Sequence, residues 1–312
     1  MLLQSGILIL AIFFLYLGAE LTLESSEKIG KHFGLSPLVI GLLIVGFGTS
    51  LPEFFVSQLA TYRGHPEIAL GNIIGSNIAN IFLIMGVASL LVPLHLNRKE
   101  ITRQLIFHLL LTVGLISYME FGSVTLWGSA FWGLYFLVYM YFTFSEMKKT
   151  KILNTEPVEE KDKLQLLMVP KLLGGFALLY LGGEWLVTSG SKLGQMAGIS
   201  EYVISAIFVA FGTSFPELVT ALLACYKKKD TDLITGNIIG SNIFNVAFVL
   251  GSLGVYQFEF NNNFLVEMVV LGTVSILLLV FSIAKKSLHR KSGIVLLGTY
   301  LALVTYWVQT QN

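Results

Sequence analysis

The 312 residues are 54% hydrophobic and 12% charged, with a mean hydropathy of +0.76 and a formal net charge of +1. That balance excludes a water-soluble globule and describes a polytopic membrane protein, whose partners are the bilayer and small solutes, not nucleic acid.

Crossing the hydrocarbon takes about 20 apolar residues in a helix, and ten runs of that kind follow along the chain. The first five cover 5–23, 37–61, 68–92, 102–119 and 124–144. The first lacks a basic leader and a small-residue cleavage site, so it reads as a retained helix, not a signal. A polar stretch with mixed charges and Pro157 then reads as a solvated cytoplasmic linker. Five further runs cover 170–189, 201–226, 232–256, 264–284 and 292–309. They are continuous, not alternating, which excludes a long β-barrel. The expected fold is an all-α membrane protein with a first five-helix unit at 1–145, a linker at 146–168 and a second unit at 169–312.

The second unit echoes the first. GFGTSLPE at Gly46 to Glu53 returns as AFGTSFPE at Ala210 to Glu217, with six of eight positions identical. GNIIGSNIANI at Gly71 to Ile81 returns as GNIIGSNIFNV at Gly236 to Val246, with nine of eleven identical. LYLGAE, ending at Glu20, returns as LYLGGE, ending at Glu184.

An odd number of helices per unit makes the second enter the membrane from the opposite side, so the expected architecture is an inverted repeat with broken helices at its centre. The basic residues agree. With the N-terminus outside, 18 of the 20 Lys and Arg fall on the cytoplasmic side, leaving only Arg63 and Lys192 on the other. Both termini are then outside and the linker cytoplasmic. A chain of this length without a large loop suits a bacterial inner membrane.

Each copy buries a carboxylate, Glu53 or Glu217, beside Pro and Gly. Ionisable groups at membrane depth are expensive and mark function. Thr49 and Ser50 lie four and three residues before Glu53, on one helical face, and Asn72, Ser76 and Asn80 form a similar stripe. Helix breaks free backbone carbonyls. Such hard oxygens suit Na⁺, Ca²⁺ or Mg²⁺, with Ca²⁺ favoured over Mg²⁺ by a flexible site; zinc or copper would recruit His or Cys, absent from the motifs. Two carboxylates balance one Ca²⁺ or two Na⁺, and an uncompensated pair would resist transit, which is a physical basis for obligatory exchange.

These four motifs together resemble the two alpha repeats of the cation/calcium exchanger superfamily, in its Na⁺/Ca²⁺ exchanger branch, and nearly the whole chain fits. The resemblance implies a Na⁺/Ca²⁺ antiporter working by alternating access, with Thr49, Ser50, Glu53, Ser76 and Asn80 as first-repeat ligands. Thr213, Ser214, Glu217, Ser241 and Asn245 would be their second-repeat counterparts, joined by the carbonyls of Gly46 and Ala210. It also implies that the first and sixth helices slide as a gating pair and that no cofactor is needed. Some relatives carry Asp where this chain has Asn245, so K⁺ dependence has no support here.

H⁺/Ca²⁺ exchange is the alternative, followed by a passive cation channel. An intramembrane enzyme finds no support, because neither an HExxH motif nor a GxSxG elbow is present. Glu20 and Glu184 read as residues snorkelling near helix ends. His108, with no partner near it in sequence, and the solitary Cys225 are assigned no role in the site.

Overall fold

The computed structural model describes residues 1–153, 167–198, 212–260 and 264–310. In chain order its main helices are α1 (Leu2–His32), α2 (Pro37–Tyr62), α3 (Pro66–Leu91), α4 (Lys99–Met119), α5 (Leu126–Leu153), α6 (Met168–Met196), α7 (Phe215–Tyr226), α8 (Thr231–Val255), α9 (Leu265–Ile283) and α10 (Arg290–Thr310). Among the described residues all but α5 and α7 are helices both long and apolar enough to cross a bilayer. The expected run 201–226 is described only from Gly212 onward, and 154–166 of the expected linker lie outside the described residues.

Three boundaries differ from expectation; α6 runs to Met196 instead of ending near residue 189. α1 continues to His32 instead of ending near residue 23, because its last turns carry the i,i+4 pair Glu24 and Lys28, 2.6 Å apart, which supports a solvated helix. α5 runs to Leu153, into the segment expected as linker.

The repeated motifs occupy the middle of the molecule. In α3 and α8, 83% of the most apolar window is buried, against 22% in α10 and 28% in α6. From Asp232 to Ile243 every residue of α8 is buried, polar and apolar alike. The outer helices turn Ile9, Phe13, Leu110, Leu134, Ile276 and Leu301 outward, as a lipid-facing surface requires.

α1 and α6 lie along one another. Their backbones nearly touch, since a β-carbon at Gly18 would sit 2.8 Å from Leu179 N and one at Gly182 would sit 2.9 Å from Ala11 O. Small residues permitting such approach are the usual helix contact in membranes. Phe14 stacks on Trp185 at 5.2 Å between ring centroids.

Two short strand pairs tie the two parts of the chain together. β1 (Leu94–His95) runs antiparallel to β4 (Ser287–Leu288), and β2 (Ser123–Val124) antiparallel to β3 (Phe258–Glu259). Each satisfies main-chain groups where helices turn back.

Candidate ion-binding site

α2 breaks where its motif demands it. Pro52 has no N–H for the Gly48 carbonyl but fits the first turn of a new helix, so Ser50 leaves the regular helix at φ −87°, ψ 6° and Leu51–Tyr62 restarts behind it. Glu53 falls in that first turn, where the positive end of the helix dipole favours a carboxylate. The second copy is built alike: Ser214 has φ −84°, ψ 5°, and Pro216 and Glu217 open α7. Asn80 and Asn245 each sit second in a π-helical turn, Ala79–Met85 in α3 and Phe244–Leu250 in α8. Widened turns of this kind recur at functional sites.

The four motifs converge. Glu53, Glu217, Ser50, Asn80, Ser241 and Asn245 have no exposed surface, and Thr49, Ser76 and Ser214 are buried beside them, with Thr213 half-buried. Hydrogen bonds cross between the copies. Ser50 Oγ donates to Glu217 Oε1 at 3.1 Å, and Ser241 Oγ to the Gly46 carbonyl at 3.1 Å. Thr213 Oγ1 donates to Asn72 Oδ1 at 2.9 Å and lies 3.3 Å from Ser76 Oγ. Thr49 Oγ1, donating to Val45 O at 3.0 Å, also approaches Asn237 Oδ1 at 3.4 Å. Gly46 is required by this closeness, since a β-carbon there would lie 2.9 Å from Asn237 O and 3.0 Å from Ser241 N. Ala210 lies outside the described residues.

The remaining valences are the informative ones. Glu53 Oε1 and Oε2, Glu217 Oε2, Asn80 Oδ1 and both polar atoms of Asn245 are buried without a hydrogen-bond partner among the described residues. Buried polar atoms left unpaired are uncommon and costly. The described residues contain no cluster of three or more His, Cys, Asp or Glu. The available donors are hard oxygens of two carboxylates, hydroxyls and carboxamides, a set that suits alkali and alkaline-earth cations better than zinc or copper.

Several residues here carry no ligand assignment from sequence alone, although Asn72 belongs to the stripe with Ser76 and Asn80. Asn72 Nδ2 bonds Ser57 Oγ at 3.0 Å and the Glu53 carbonyl at 3.3 Å, while Asn237 Nδ2 bonds Thr220 Oγ1 at 3.3 Å. Asn72 and Asn237 stand second in each GNIIGSN motif, and that recurrence was the available signal for Asn237. Asn242 and His108 lie behind Asn80; nothing local in sequence marks His108. Glu20, expected to snorkel or pack near a helix end, is partly exposed there and pairs with Lys227.

A profile of the family described as sodium/calcium exchanger protein matches residues 3–145 and 169–309. An uncharacterised membrane protein of Methanocaldococcus jannaschii is 32% identical over 309 residues, covering 96% of each chain. The sodium/calcium exchanger MaX1 of Methanosarcina acetivorans is 28% identical, again covering 96% of each. Among solved structures, the sodium-calcium exchanger NCX_Mj superposes with a TM-score of 0.83 at 30% identity, covering 97% of this chain and 98% of that one.

Proposed function

The chain belongs to the sodium/calcium exchanger protein family, and we propose that this multi-pass cation/Ca²⁺ antiporter, which is no enzyme, exchanges Na⁺ for Ca²⁺ across a bacterial inner membrane. The units 1–145 and 169–312 act as inverted repeats of five helices each, joined by a cytoplasmic linker with both termini outside. Glu53 and Glu217 are the shared ligands. Thr49, Ser50, Ser76, Asn80, Thr213, Ser214, Ser241 and Asn245, with the carbonyls of Gly46 and Ala210, complete the coordination of Ca²⁺ or of Na⁺ in its place.

One observation carries this reading: three of the four carboxylate oxygens, together with the Asn80 and Asn245 amide oxygens, are buried without a hydrogen-bond partner among the described residues at the meeting of four broken or widened helices. A bound cation satisfies them. Without one, two desolvated carboxylates cross the low-dielectric interior at great cost, so the empty carrier stays put and a second cation must return it. The close glycine-lined contact of α1 with α6 gives that pair a smooth surface along which to slide.

Uptake of ⁴⁵Ca²⁺ into proteoliposomes loaded with Na⁺, against K⁺-loaded and pH-gradient vesicles at clamped voltage, tests the reading. Uptake that needs internal Na⁺ supports it. Uptake driven only by the proton gradient replaces Na⁺ with H⁺, and flux without any counter-ion gradient makes the protein a channel.

A further inference from the structure

His108 is buried in α4 at 3% exposure, and both its ring nitrogens are engaged. Directions can be assigned along the chain of bonds it belongs to. Ser275 Oγ donates to Leu271 O at 2.7 Å, which commits its single proton. It therefore accepts from His108 Nδ1, 3.2 Å away, because Thr112 Oγ1, 3.3 Å distant, gives its own proton to His108 O at 2.8 Å. A ring protonated on Nδ1 and neutral leaves Nε2 as an acceptor, and Asn242 Nδ2 lies 3.2 Å from it. The same amide nitrogen gives its other proton to Asn77 O at 3.2 Å. Asn242 thus presents only its oxygen forward, and Asn80 Nδ2 donates to that oxygen at 2.9 Å. Of the two polar atoms of the Asn80 amide, only Oδ1 is buried without a partner among the described residues.

We propose that His108 is a positioning residue for the central cation. Through Asn242 it holds the Asn80 carboxamide with its oxygen, not its nitrogen, toward the ion. A carboxamide has no intrinsic preference between its two ends, and an amide nitrogen facing a cation would be repelled. The relay Leu271–Ser275–His108–Asn242–Asn80 removes that ambiguity, as partners behind a metal ligand commonly do. It joins α9 and α4 to α8 and α3, so the outer helices have a say in the ligand geometry. Among the described residues the second copy shows no such support: Asn245, in the position equivalent to Asn80, has neither amide atom bonded. This role rests on the cation-exchange reading of the site.

The experiment compares wild type with His108→Leu, His108→Gln and Ser275→Ala, reading equilibrium ⁴⁵Ca²⁺ binding in detergent beside Na⁺-driven uptake, with melting temperature as a fold check. His108→Leu should weaken Ca²⁺ binding about tenfold or more, the usual effect of losing such a partner. His108→Gln, which offers one acceptor and one donor, should restore most of it, and Ser275→Ala, which frees the ring tautomer, should fall between. Unchanged binding in a folded His108→Leu overturns the role, and so does a Gln variant as weak as Leu, since that would show packing alone at work. If His108→Leu does not fold, Ser275→Ala and His108→Gln decide: both at wild-type affinity, or Ser275→Ala at wild-type affinity with a weakened Gln, overturns the role, whereas a weakened Ser275→Ala supports it. Wild-type protein that binds Ca²⁺ but shows no Na⁺-driven uptake would sink Na⁺ exchange while leaving the binding comparison intact.

Discussion

The two copies of the motif are nearly identical in sequence and unequal in their bonds. In the first copy neither oxygen of Glu53 has a hydrogen-bond partner among the described residues, while the amide of Asn80 is held by Asn242. In the second the reverse holds, with Glu217 Oε1 receiving Ser50 Oγ and Asn245 bonded to nothing among the described residues. The threonines agree: Thr213 reaches Asn72 as Thr49 reaches Asn237. Matching residues thus sit in unlike surroundings, and the difference between the copies is one of bonding, not of residue type.

The largest effect should come from removing either carboxylate. Glu53→Gln or Glu217→Gln keeps the volume and deletes one of two negative charges, so Ca²⁺ loses half its neutralisation in a medium where unpaired charge is most expensive. Coupled uptake should fall by roughly a hundredfold or more, equivalent to about 3 kcal/mol, with membrane insertion intact. Normal uptake in either variant would remove that Glu from the site. A large loss in one and a small loss in the other would show that the copies differ in role as well as in bonding.

Asn245→Asp comes next. It places a third carboxylate where the second copy has unpaired amide atoms, and like charges raise one another's proton affinity. Uptake should become more dependent on pH and on the choice of monovalent cation than in wild type. Superimposable pH and cation profiles would place Asn245 outside the cation's reach.

Much of this arrangement was legible in the sequence, and the reason is local. Gly-Thr-Ser-x-Pro-Glu specifies a helix break, a first turn and a carboxylate in six residues, so the twin breaks at Ser50 and Ser214 follow from the chain alone. The burial of α3 and α8 was likewise readable from polar motifs set within apolar runs. The asymmetry was not, because it depends on which hydroxyl meets which carboxylate across 167 residues of sequence. His108 escaped for the same reason: its partners, Asn242 and Ser275, lie 134 and 167 residues away. The short strand pairs also join segments far apart, and two residues of ladder leave no periodic signal.

The Ser pair sharpens the comparison at smaller scale. Ser50→Ala removes the hydroxyl that donates to Glu217 Oε1, and a hydrogen bond to a charged group contributes about 1.5–3 kcal/mol. Among the described residues Ser214 donates no comparable bond to Glu53, neither of whose oxygens has a hydrogen-bond partner. Half-saturating Ca²⁺ should therefore rise by roughly tenfold in Ser50→Ala, and by less in Ser214→Ala. Equal shifts would mean that the copies interchange their bonds during transport fast enough to average them.

The smallest effect is expected at the rim, where Glu20 and its counterpart Glu184 extend the comparison to α1 and α6. Lys227 pairs with Glu20, tying the end of α7 to α1, whereas Glu184 borders a cavity shared with Lys192. The Lys227 ammonium is raised above the usual lysine pKa, chiefly by its hydrogen bond to Glu20. A raised pKa means the pair's contribution is fully present below the ordinary lysine range and is lost as pH climbs through the raised value. About one third of each side chain is exposed, 31% and 34%, so solvent screens the pair, and such pairs are worth about 0–1 kcal/mol. Lys227→Ala should lower the melting temperature in detergent by only a degree or two at neutral pH, on the order of what so weak a pair supplies, and the difference from wild type should vanish at strongly alkaline pH. If the tie also restrains the sliding of α1, the variant's maximal uptake rate will change while its half-saturating Ca²⁺ does not. A shift in half-saturation instead would mean that the rim influences cation binding itself.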